Sequence, residues 1–249
     1  MADDNNSDDD RERRYRMAMP RRSSYQAISG DDFRSIQDES AAAAGAPRGA
    51  LMRQAMELAG HGDMGALEAL LQANPSFDVD GGNRRGWRLI HIAAEAGHLH
   101  LVQFLIQAGA NADLKDARGW SALMLAASRD HCTVVRALLL HGVTGSAHMA
   151  IRVAAANGAL HSLHALLASD AGRSDGRRAC LSRLCPVRLA AQRQRSAALQ
   201  VLIMAGYPYD CLRPGARRDP ALSATIEHAR RARHVLQHVR AHAPSSLCR

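Results

Sequence analysis

Three histidines near the C-terminal end are spaced so that they could bind a metal ion or sense pH. His234, His238 and His242 recur at every fourth position, which places them on one face of a helix. Imidazoles at such spacing can bind zinc, or change charge near neutral pH. A closed zinc site needs further ligands, and the sequence marks none for this stripe. We therefore interpret these histidines as a solvated helix face and predict no metal site.

The sequence offers no recognisable catalytic constellation. It lacks a phosphate-binding G-x-x-x-x-G-K loop, a G-x-S-x-G nucleophile motif and an H-E-x-x-H zinc motif. The five cysteines are odd in number and none forms a C-x-x-C pair, which favours free thiols in a reducing compartment. We therefore predict a protein that is not an enzyme and uses no cofactor.

Two tryptophans flanked by arginines offer the chemistry of partner recognition. Trp87 and Trp120 are the only two tryptophans, and Arg84, Arg85 and Arg118 lie beside them. Arginine grips carboxylates in a bidentate fork and stacks on rings, and tryptophan is enriched in binding hot spots. Either the two rings contact a partner or each ring packs across its own turn. We predict partner contact.

These tryptophans belong to a pattern that repeats every 33 residues. Gly86-Trp87 recurs as Gly119-Trp120, and Gly109 recurs as Gly142. Such a period is typical of arrays in which small repeats stack and bury one shared core. Within five repeats, aliphatic residues occupy positions i, i+3 and i+4, which predicts a helix with one buried face. The three columns are Leu67, Val102, Val135, Leu163 and Leu199; Leu70, Leu105, Leu138, Leu166 and Leu202; and Leu71, Ile106, Leu139, Leu167 and Ile203.

A shorter helix is predicted before each of these helices. Its core is a pair of mostly small residues, which lets neighbouring helices approach closely. The pairs are Leu58-Ala59, Ala93-Ala94, Ala126-Ala127, Ala154-Ala155 and Ala190-Ala191. A glycine or a polar residue then ends the helix, and glycine suits the left-handed conformation found there. These residues are Gly62, Gly97, Asp130, Gly158 and Gln194.

The repeats resemble the ankyrin repeat family. Residues 86–94, Gly-Trp-Arg-Leu-Ile-His-Ile-Ala-Ala, are similar to the family pattern Gly-x-Thr-Pro-Leu-His-x-Ala-Ala, although Arg88-Leu89 replaces Thr-Pro. The family's histidine is kept at His91 and is replaced at Met124, Arg152 and Arg188. The resemblance implies an all-α, ankyrin-type helical solenoid of stacked helix-turn-helix repeats with short hairpin fingers. It also implies that His91 bonds the backbone within its own repeat.

We predict three segments along the chain. Residues 1–47 are polar and charge-mixed, and we expect a disordered tail because they cannot bury enough apolar surface to offset ordering. The repeat array is predicted over residues 48–243, and a disordered C-terminus over residues 244–249. The predicted repeats are 48–82, 83–115, 116–146, 147–180, 181–214 and 215–243.

The resemblance also implies where a partner would bind. In ankyrin repeats, the fingers and the ends of the inner helices usually face a target across a concave groove. Carried onto this sequence, that implies a partner-binding set of Arg84, Arg85, Trp87, Glu95, Arg118, Trp120, Ser128 and Arg129. We therefore predict a scaffold, adaptor or inhibitor that binds another protein through this groove.

The positive charge of the chain suggests two alternatives. Residues 147–249 carry 16 arginines against five acids, whereas residues 48–146 carry nine basic and nine acidic residues. Such a field favours nucleic acid, an acidic protein or an anionic surface as partner. The predicted basic patch consists of Arg173, Arg177, Arg178, Arg213, Arg217, Arg218, Arg230, Arg231 and Arg233. The other alternative is an effector of a pathogen or virus that acts in a host cell.

The N-terminal residues are acidic and polar, and no apolar run approaches the ~20 residues of a membrane span. We therefore expect no signal peptide, no membrane span and a location in the cytoplasm, the nucleus or both.

Overall fold

The computed structural model describes residues 47–169, 185–209, 212 and 220–242. These residues form helices joined by turns, with one isolated bridge between Lys115 and Ser121. The predicted all-α class is confirmed. The predicted disordered segments lie outside the described residues, except that Pro47 begins the first helix. The helices are α1 (Pro47–His61), α2 (Met64–Ala73), α3 (Leu89–Ala96), α4 (Leu99–Gln107), α5 (Ala122–Ser128), α6 (Cys132–Leu140), α7 (Ala147–Asn157), α8 (Leu160–Ala168), α9 (Pro186–Gln192), α10 (Ser196–Met204) and α11 (Pro220–His242).

The helices belong to two compact units, residues 1–122 and residues 123–249. In the N-terminal unit, α1 packs against α2 and α3, and α4 packs against α2 and α3. In the C-terminal unit, α7 packs against α8 and α9, while α10 packs against α8, α9 and α11. Within the N-terminal unit, inner helix α1 therefore contacts inner helix α3, and outer helix α2 contacts outer helix α4. Within the C-terminal unit, α7 contacts α9 and α8 contacts α10 in the same way, as expected of stacked helix pairs.

The outer helices supply two buried columns of aliphatic side chains. The whole first column, from Leu67 to Leu199, has 0% exposure, and the second column is buried as well. The third column is buried only at Ile203 and half-buried in the other four repeats. Two of the three predicted columns therefore form the core, and the third lies at the edge of the apolar helix face.

The inner helices are lined by alanines at the predicted pairs. Ala93, Ala94, Ala154, Ala155 and Ala190 all have 0% exposure. A side chain larger than a methyl group at these positions would force neighbouring helices apart, because protein interiors are packed without spare volume. The alanine pairs therefore set how closely successive repeats stack within each unit.

All five predicted ends of the inner helices adopt the left-handed conformation. The φ angles are 77° at Gly62, 83° at Gly97 and 76° at Gly158, and also 63° at Asp130 and 55° at Gln194. The last two residues carry a Cβ, which makes this conformation costly by about 1–2 kcal/mol. The geometry of the repeat therefore imposes the turn even where the residue type disfavours it.

We expect Gln194→Gly to raise the free energy of unfolding by about 1 kcal/mol, because glycine adopts a positive φ without the steric cost of a Cβ. The Gln194 side chain is exposed, so little packing is lost. Urea denaturation followed by circular dichroism measures the change. Asp130→Gly is the matched control, because the Asp130 side chain also makes hydrogen bonds that glycine would remove. Equal stabilisation by the two substitutions would contradict this account.

The predicted sixth repeat differs from a helix-turn-helix pair. Residues 220–242 form one continuous helix, α11, which packs against α10. After Pro220 this segment contains no glycine or proline, and it is rich in alanine and arginine, which favour helix. Without a residue to end the first helix, the chain continues through the position where a turn was expected.

The connection between α6 and α7 is shorter than the inter-repeat connections of the N-terminal unit. In the N-terminal unit, long connections lead from α2 to α3 and from α4 towards α5, whereas residues 141–146 alone join α6 to α7 in the C-terminal unit. Successive residues of the first column, Val135 and Leu163, are therefore 28 positions apart instead of 33 (163 − 135 = 28). The difference arises because the α6–α7 connection contains no hairpin finger.

Candidate functional site

Two hairpin fingers in the N-terminal unit are built by the same hydrogen bonds, one repeat apart. In finger 1 (residues 80–88), the Asn83 Oδ1 accepts the N–H groups of Arg85 and Trp87. In finger 2 (residues 115–121), the Asp116 Oδ1 accepts the N–H groups of Arg118 and Trp120 at 2.9 and 2.8 Å. Each side chain thereby fixes the backbone of a turn whose tip carries arginine.

The Asp116 carboxylate is the more deeply placed of the two acceptors. Its side chain has no exposed surface, and its Oδ2 lies 3.5 Å from the Arg118 Nε. At this distance the two side chains form an ion pair but not a good hydrogen bond. The Asp116 Oδ2 is therefore buried without a hydrogen-bond partner. Finger 2 therefore depends mainly on the two backbone N–H groups that the Asp116 Oδ1 accepts.

The two fingers are joined to each other. The Ala117 N–H donates to the Arg85 carbonyl at 3.0 Å. The Arg88 guanidinium donates from Nη1 to the carbonyls of Gly86 and Lys115, and from Nε to the carbonyl of Asp80. Arg88, which is half-buried, thus bonds the backbone of both fingers. Sequence reasoning missed this role.

Finger 1 passes so close to finger 2 that one position admits only glycine. Gly86 has a φ of 72°, and a Cβ there would lie 2.8 Å from the Ala117 nitrogen. Because that neighbour is backbone, it could not move aside without breaking its own hydrogen bond to Arg85. Glycine at position 86 is therefore required by finger packing, whereas Gly119 has open space around it and is favoured only by its φ of 84°.

The two tryptophans are buried rather than displayed. Trp87 is 3% exposed and Trp120 is 6% exposed. The Arg118 guanidinium carbon lies 5.9 Å from the centroid of the Trp87 ring, and so covers this ring from the next repeat. Burial fits the alternative in which each ring packs within the fold. Partner contact by Trp87 and Trp120 stays a prediction. The neighbouring arginines are the exposed groups of the two fingers.

The arginines at the fingertips are accessible to a partner. Arg84 and Arg85 are exposed, and the Arg118 side chain is 51% exposed. All three belong to the predicted partner-binding set. Their backbones belong to the two adjoining turns described above, both of which lie in the N-terminal unit.

The remaining members of the predicted set lie at the ends of inner helices. Glu95 is half-buried at the end of α3 in the N-terminal unit. Ser128 and Arg129 are half-buried at the end of α5 in the C-terminal unit. The Ser128 hydroxyl donates to the Leu125 carbonyl, and the Ser128 carbonyl accepts from the Asn157 side chain. Ser128 is therefore already engaged in holding its own helix.

The predicted basic patch is described only in part. Arg173, Arg177, Arg178, Arg213, Arg217 and Arg218 lie outside the described residues. On α11, Arg231 is exposed and pairs with Glu227 at 3.3 Å, and Arg233 is half-buried near Gly206. In the described part of the patch, two of the three arginines thus have neighbours within the fold.

The histidine stripe on α11 is likewise described at one position. His234 is exposed, and the side chains of His238 and His242 lie outside the description. Among the described residues, no group of three or more histidine, cysteine or acidic side chains could hold a metal ion. No helix among those residues has the length and apolar character to cross a bilayer.

His91 has a structural role, as the resemblance implied. Its Nδ1 accepts the Arg88 N–H, and its Nε2–H donates to the Leu114 carbonyl. Both bonds require the neutral ring protonated on Nε2. Burial lowers the pKa of His91 below 6.5 because it disfavours the charged ring, and Arg88 acts in the same direction, against opposing effects of Leu114 and Asp116.

The lowered pKa of His91 predicts a loss of stability on acidification. The unfolded chain binds a proton here more readily than the folded chain, so this contribution is complete above pH 6.5 and falls below it. We expect an added slope over this pH range, for which the upper limit with one proton is about 1.4 kcal/mol per pH unit. Urea denaturation at several pH values should show this extra slope in the wild type and not in His91→Met. Met124 is buried at the equivalent position, which makes methionine the matched substitution.

Asp130 joins two repeats inside the C-terminal unit. Its Oδ1 accepts the Ser162 N–H near the start of α8, and its Oδ2 lies 2.8 Å from the His161 Nδ1. Burial alone would raise the pKa of Asp130, but the hydrogen bonds from Ser162 and His161 outweigh it and lower the pKa below 3.8. Asp130 therefore caps a helix of the next repeat as well as ending its own.

Comparisons with known proteins agree with this geometry. A family model of ankyrin repeats, in three copies, matches residues 51–148. Among 349 matching chains of solved structures is the human ASB11 ankyrin repeat domain. It is 21% identical, with a TM-score of 0.59 over 70% of this chain and 82% of that domain, a likeness that shows the fold alone. No curated protein matches the chain.

Proposed function

Because residues 51–148 of this chain are ankyrin repeats, which are generally protein–protein interaction modules, we propose that the protein is a scaffold or adaptor that binds another protein through its fingers and inner helices. The observation that carries the proposal is the pair of locked fingers in the N-terminal unit. Three arginines project from turns that are already fixed in the free protein.

Preorganisation supports a binding role for this edge. The Asn83 and Asp116 side chains fix the two turns, and Arg88 joins them. A partner that docks on such a surface orders little more than the arginine side chains, so less of the interaction energy is lost to conformational entropy. Arg84, Arg85 and Arg118 are then the contacting residues of the fingers, and Trp87 supports Arg118 from beneath.

The inner-helix ends extend the proposal to further contacts. Glu95 in the N-terminal unit, and Ser128 and Arg129 in the C-terminal unit, occupy the positions that the family uses for target contact. All three are half-buried, so each retains some surface for a partner.

Site-specific photocrosslinking tests this function directly. A benzophenone amino acid replaces Ala117, which is exposed on finger 2, or Ala69, which is exposed on the outer helix α2 of the same unit. We expect proteins in cell extract to crosslink at position 117 and much less at position 69. Mass spectrometry then identifies the partner. Equal recovery at the two positions, or recovery of nucleic acid instead of protein, would contradict the proposal.

The identified partner is then measured against charge-reversed fingers. We expect Arg84→Glu/Arg85→Glu to weaken its affinity at least about tenfold, because both arginines are exposed on finger 1 and the substitutions reverse their charge. Arg136→Glu is the control, since Arg136 is also an exposed arginine but lies on the outer helix α6. A partner that binds all three proteins equally would not use the fingers.

A further inference from the structure

We infer that the two fingers recognise an acidic segment of the partner, an extended stretch with at least two carboxylates. This inference rests on the proposed function and specifies the chemistry of its partner. Finger 1 (residues 80–88) and finger 2 (residues 115–121) contain five cations and two acids, Asp80 and Asp116. The Asp116 side chain is fully buried, and Asp80 is half-buried with its Oδ1 accepting the Asn111 N–H, so the cations dominate the exposed charge of the fingers.

Of the five cations on the two fingers, Arg88 bonds the backbone, and the other four are exposed or half-exposed. Arg88 uses Nε and Nη1 on three backbone carbonyls. Arg84, Arg85 and Lys115 are exposed, and Arg118 is about half-exposed. The Ala117 N–H of finger 2 donates to the Arg85 carbonyl of finger 1. These exposed cations therefore lie on two adjoining turns.

Arg118 is held in a way that prepares it for a carboxylate. Its Nε faces the Asp116 Oδ2 at 3.5 Å and its guanidinium lies over the Trp87 ring. Both contacts restrict the side chain while half of its surface stays exposed. A planar guanidinium restricted in this way can offer its exposed edge to a carboxylate as two parallel N–H donors, with less entropy lost on binding.

Carboxylates fit this edge better than a phosphate backbone. Nucleic acid is bound by extended positive fields, and residues 48–146 carry equal numbers of basic and acidic residues. Single-stranded nucleic acid also needs exposed aromatic rings for stacking, and both finger tryptophans are buried. A short acidic protein segment needs neither, because a few well-placed arginines suffice.

A peptide-display selection against the full chain tests the inference. A random twelve-residue library is selected on immobilised wild type, on Arg84→Gln/Arg85→Gln and on Arg136→Gln. We expect clustered Asp and Glu residues among the peptides from wild type and Arg136→Gln, and loss of that enrichment on Arg84→Gln/Arg85→Gln. A parallel selection on Arg230→Gln/Arg231→Gln removes exposed cations from α11 instead and should leave the enrichment intact.

Affinities of one selected peptide complete the test. We expect binding to weaken roughly tenfold in Arg84→Gln/Arg85→Gln and in the version of the peptide with every Glu changed to Gln. Arg118→Lys should fall between wild type and Arg118→Gln, because lysine keeps the charge but loses the fork and the stacking.

The outcomes separate this inference from the proposed function. Peptides without acidic enrichment that still lose binding in Arg84→Gln/Arg85→Gln would overturn the acidic specificity and leave a protein-binding edge. Acidic peptides that lose binding only in Arg230→Gln/Arg231→Gln would place the anion site on α11 and overturn the inference. Absence of any enrichment over uncoated beads would count against both.

Discussion

Leu105→Ala is expected to lower the free energy of unfolding of the N-terminal unit by about 3 kcal/mol. Leu105 has no exposed surface and belongs to the second buried column of the outer helices. Removing three carbon atoms from a packed core costs their transfer energy and also leaves a cavity. Urea denaturation followed by tryptophan fluorescence reports this unit, because both tryptophans lie within residues 1–122.

The neighbouring residue supplies the control for this prediction. Ile106 belongs to the third column, which is half-buried. Ile106→Ala removes the same number of carbon atoms but exposes less core, so we expect a loss of only about 1 kcal/mol. If the two substitutions cost the same, the distinction between core columns and edge column would be wrong.

Asp116→Ala is expected to cost about 2–3 kcal/mol and to disorder finger 2. The Asp116 Oδ1 is the acceptor for the N–H groups of Arg118 and Trp120, and the latter residue is buried. Alanine would leave both donors without that acceptor, and a buried donor without a partner costs about 1–3 kcal/mol. Urea denaturation again measures the loss, and the fluorescence of Trp120 should shift towards that of an exposed ring.

Asp116→Asn is the matched control because the chain itself uses asparagine for this purpose at Asn83. The asparagine keeps an oxygen acceptor for both N–H groups and loses only the long ion pair to a half-exposed Arg118. We therefore expect a cost below about 1 kcal/mol. A loss as large as that of alanine would show that the charge of Asp116, rather than its hydrogen bonds, holds the finger.

The repeat architecture could be predicted because its causes are local and periodic. Aliphatic residues at i, i+3 and i+4 define a buried helix face wherever they occur, and two columns are buried throughout. The left-handed ends of the inner helices were also predictable, including Asp130 and Gln194, whose side chains disfavour this conformation. There the repeated geometry of the stack outweighs the preference of the individual residue.

The role of the tryptophans could not be predicted because it depends on the next repeat. Trp87 is covered by Arg118, and a sequence pattern within one repeat carries no information about that contact. Arg88 was missed for the same reason, since it replaces a small family residue yet reaches Lys115 in the following repeat. A usable signal was present: Asn83 and Asp116 recur at the repeat spacing and precede both Gly-Trp motifs.

The single helix α11 shows a different limit. Its sequence continued the aliphatic and alanine character of the array, which favoured another helix pair. The residue that would end an inner helix is missing after Pro220, and helix-favouring residues continue to His242. The presence of a turn depends on one residue, whereas the presence of helix depends on many, so the turn is the less secure prediction.

Arg88 also bears on how this molecule can change over evolutionary time. Its guanidinium donates hydrogen bonds to the carbonyls of Asp80, Gly86 and Lys115. A backbone shift in either hairpin would therefore disturb the other. Substitutions that remodel one tip for a new target would displace its neighbour unless a second substitution compensates. Adaptation of this edge should therefore proceed by paired replacements, whereas the separate loops of a looser scaffold could diversify one at a time.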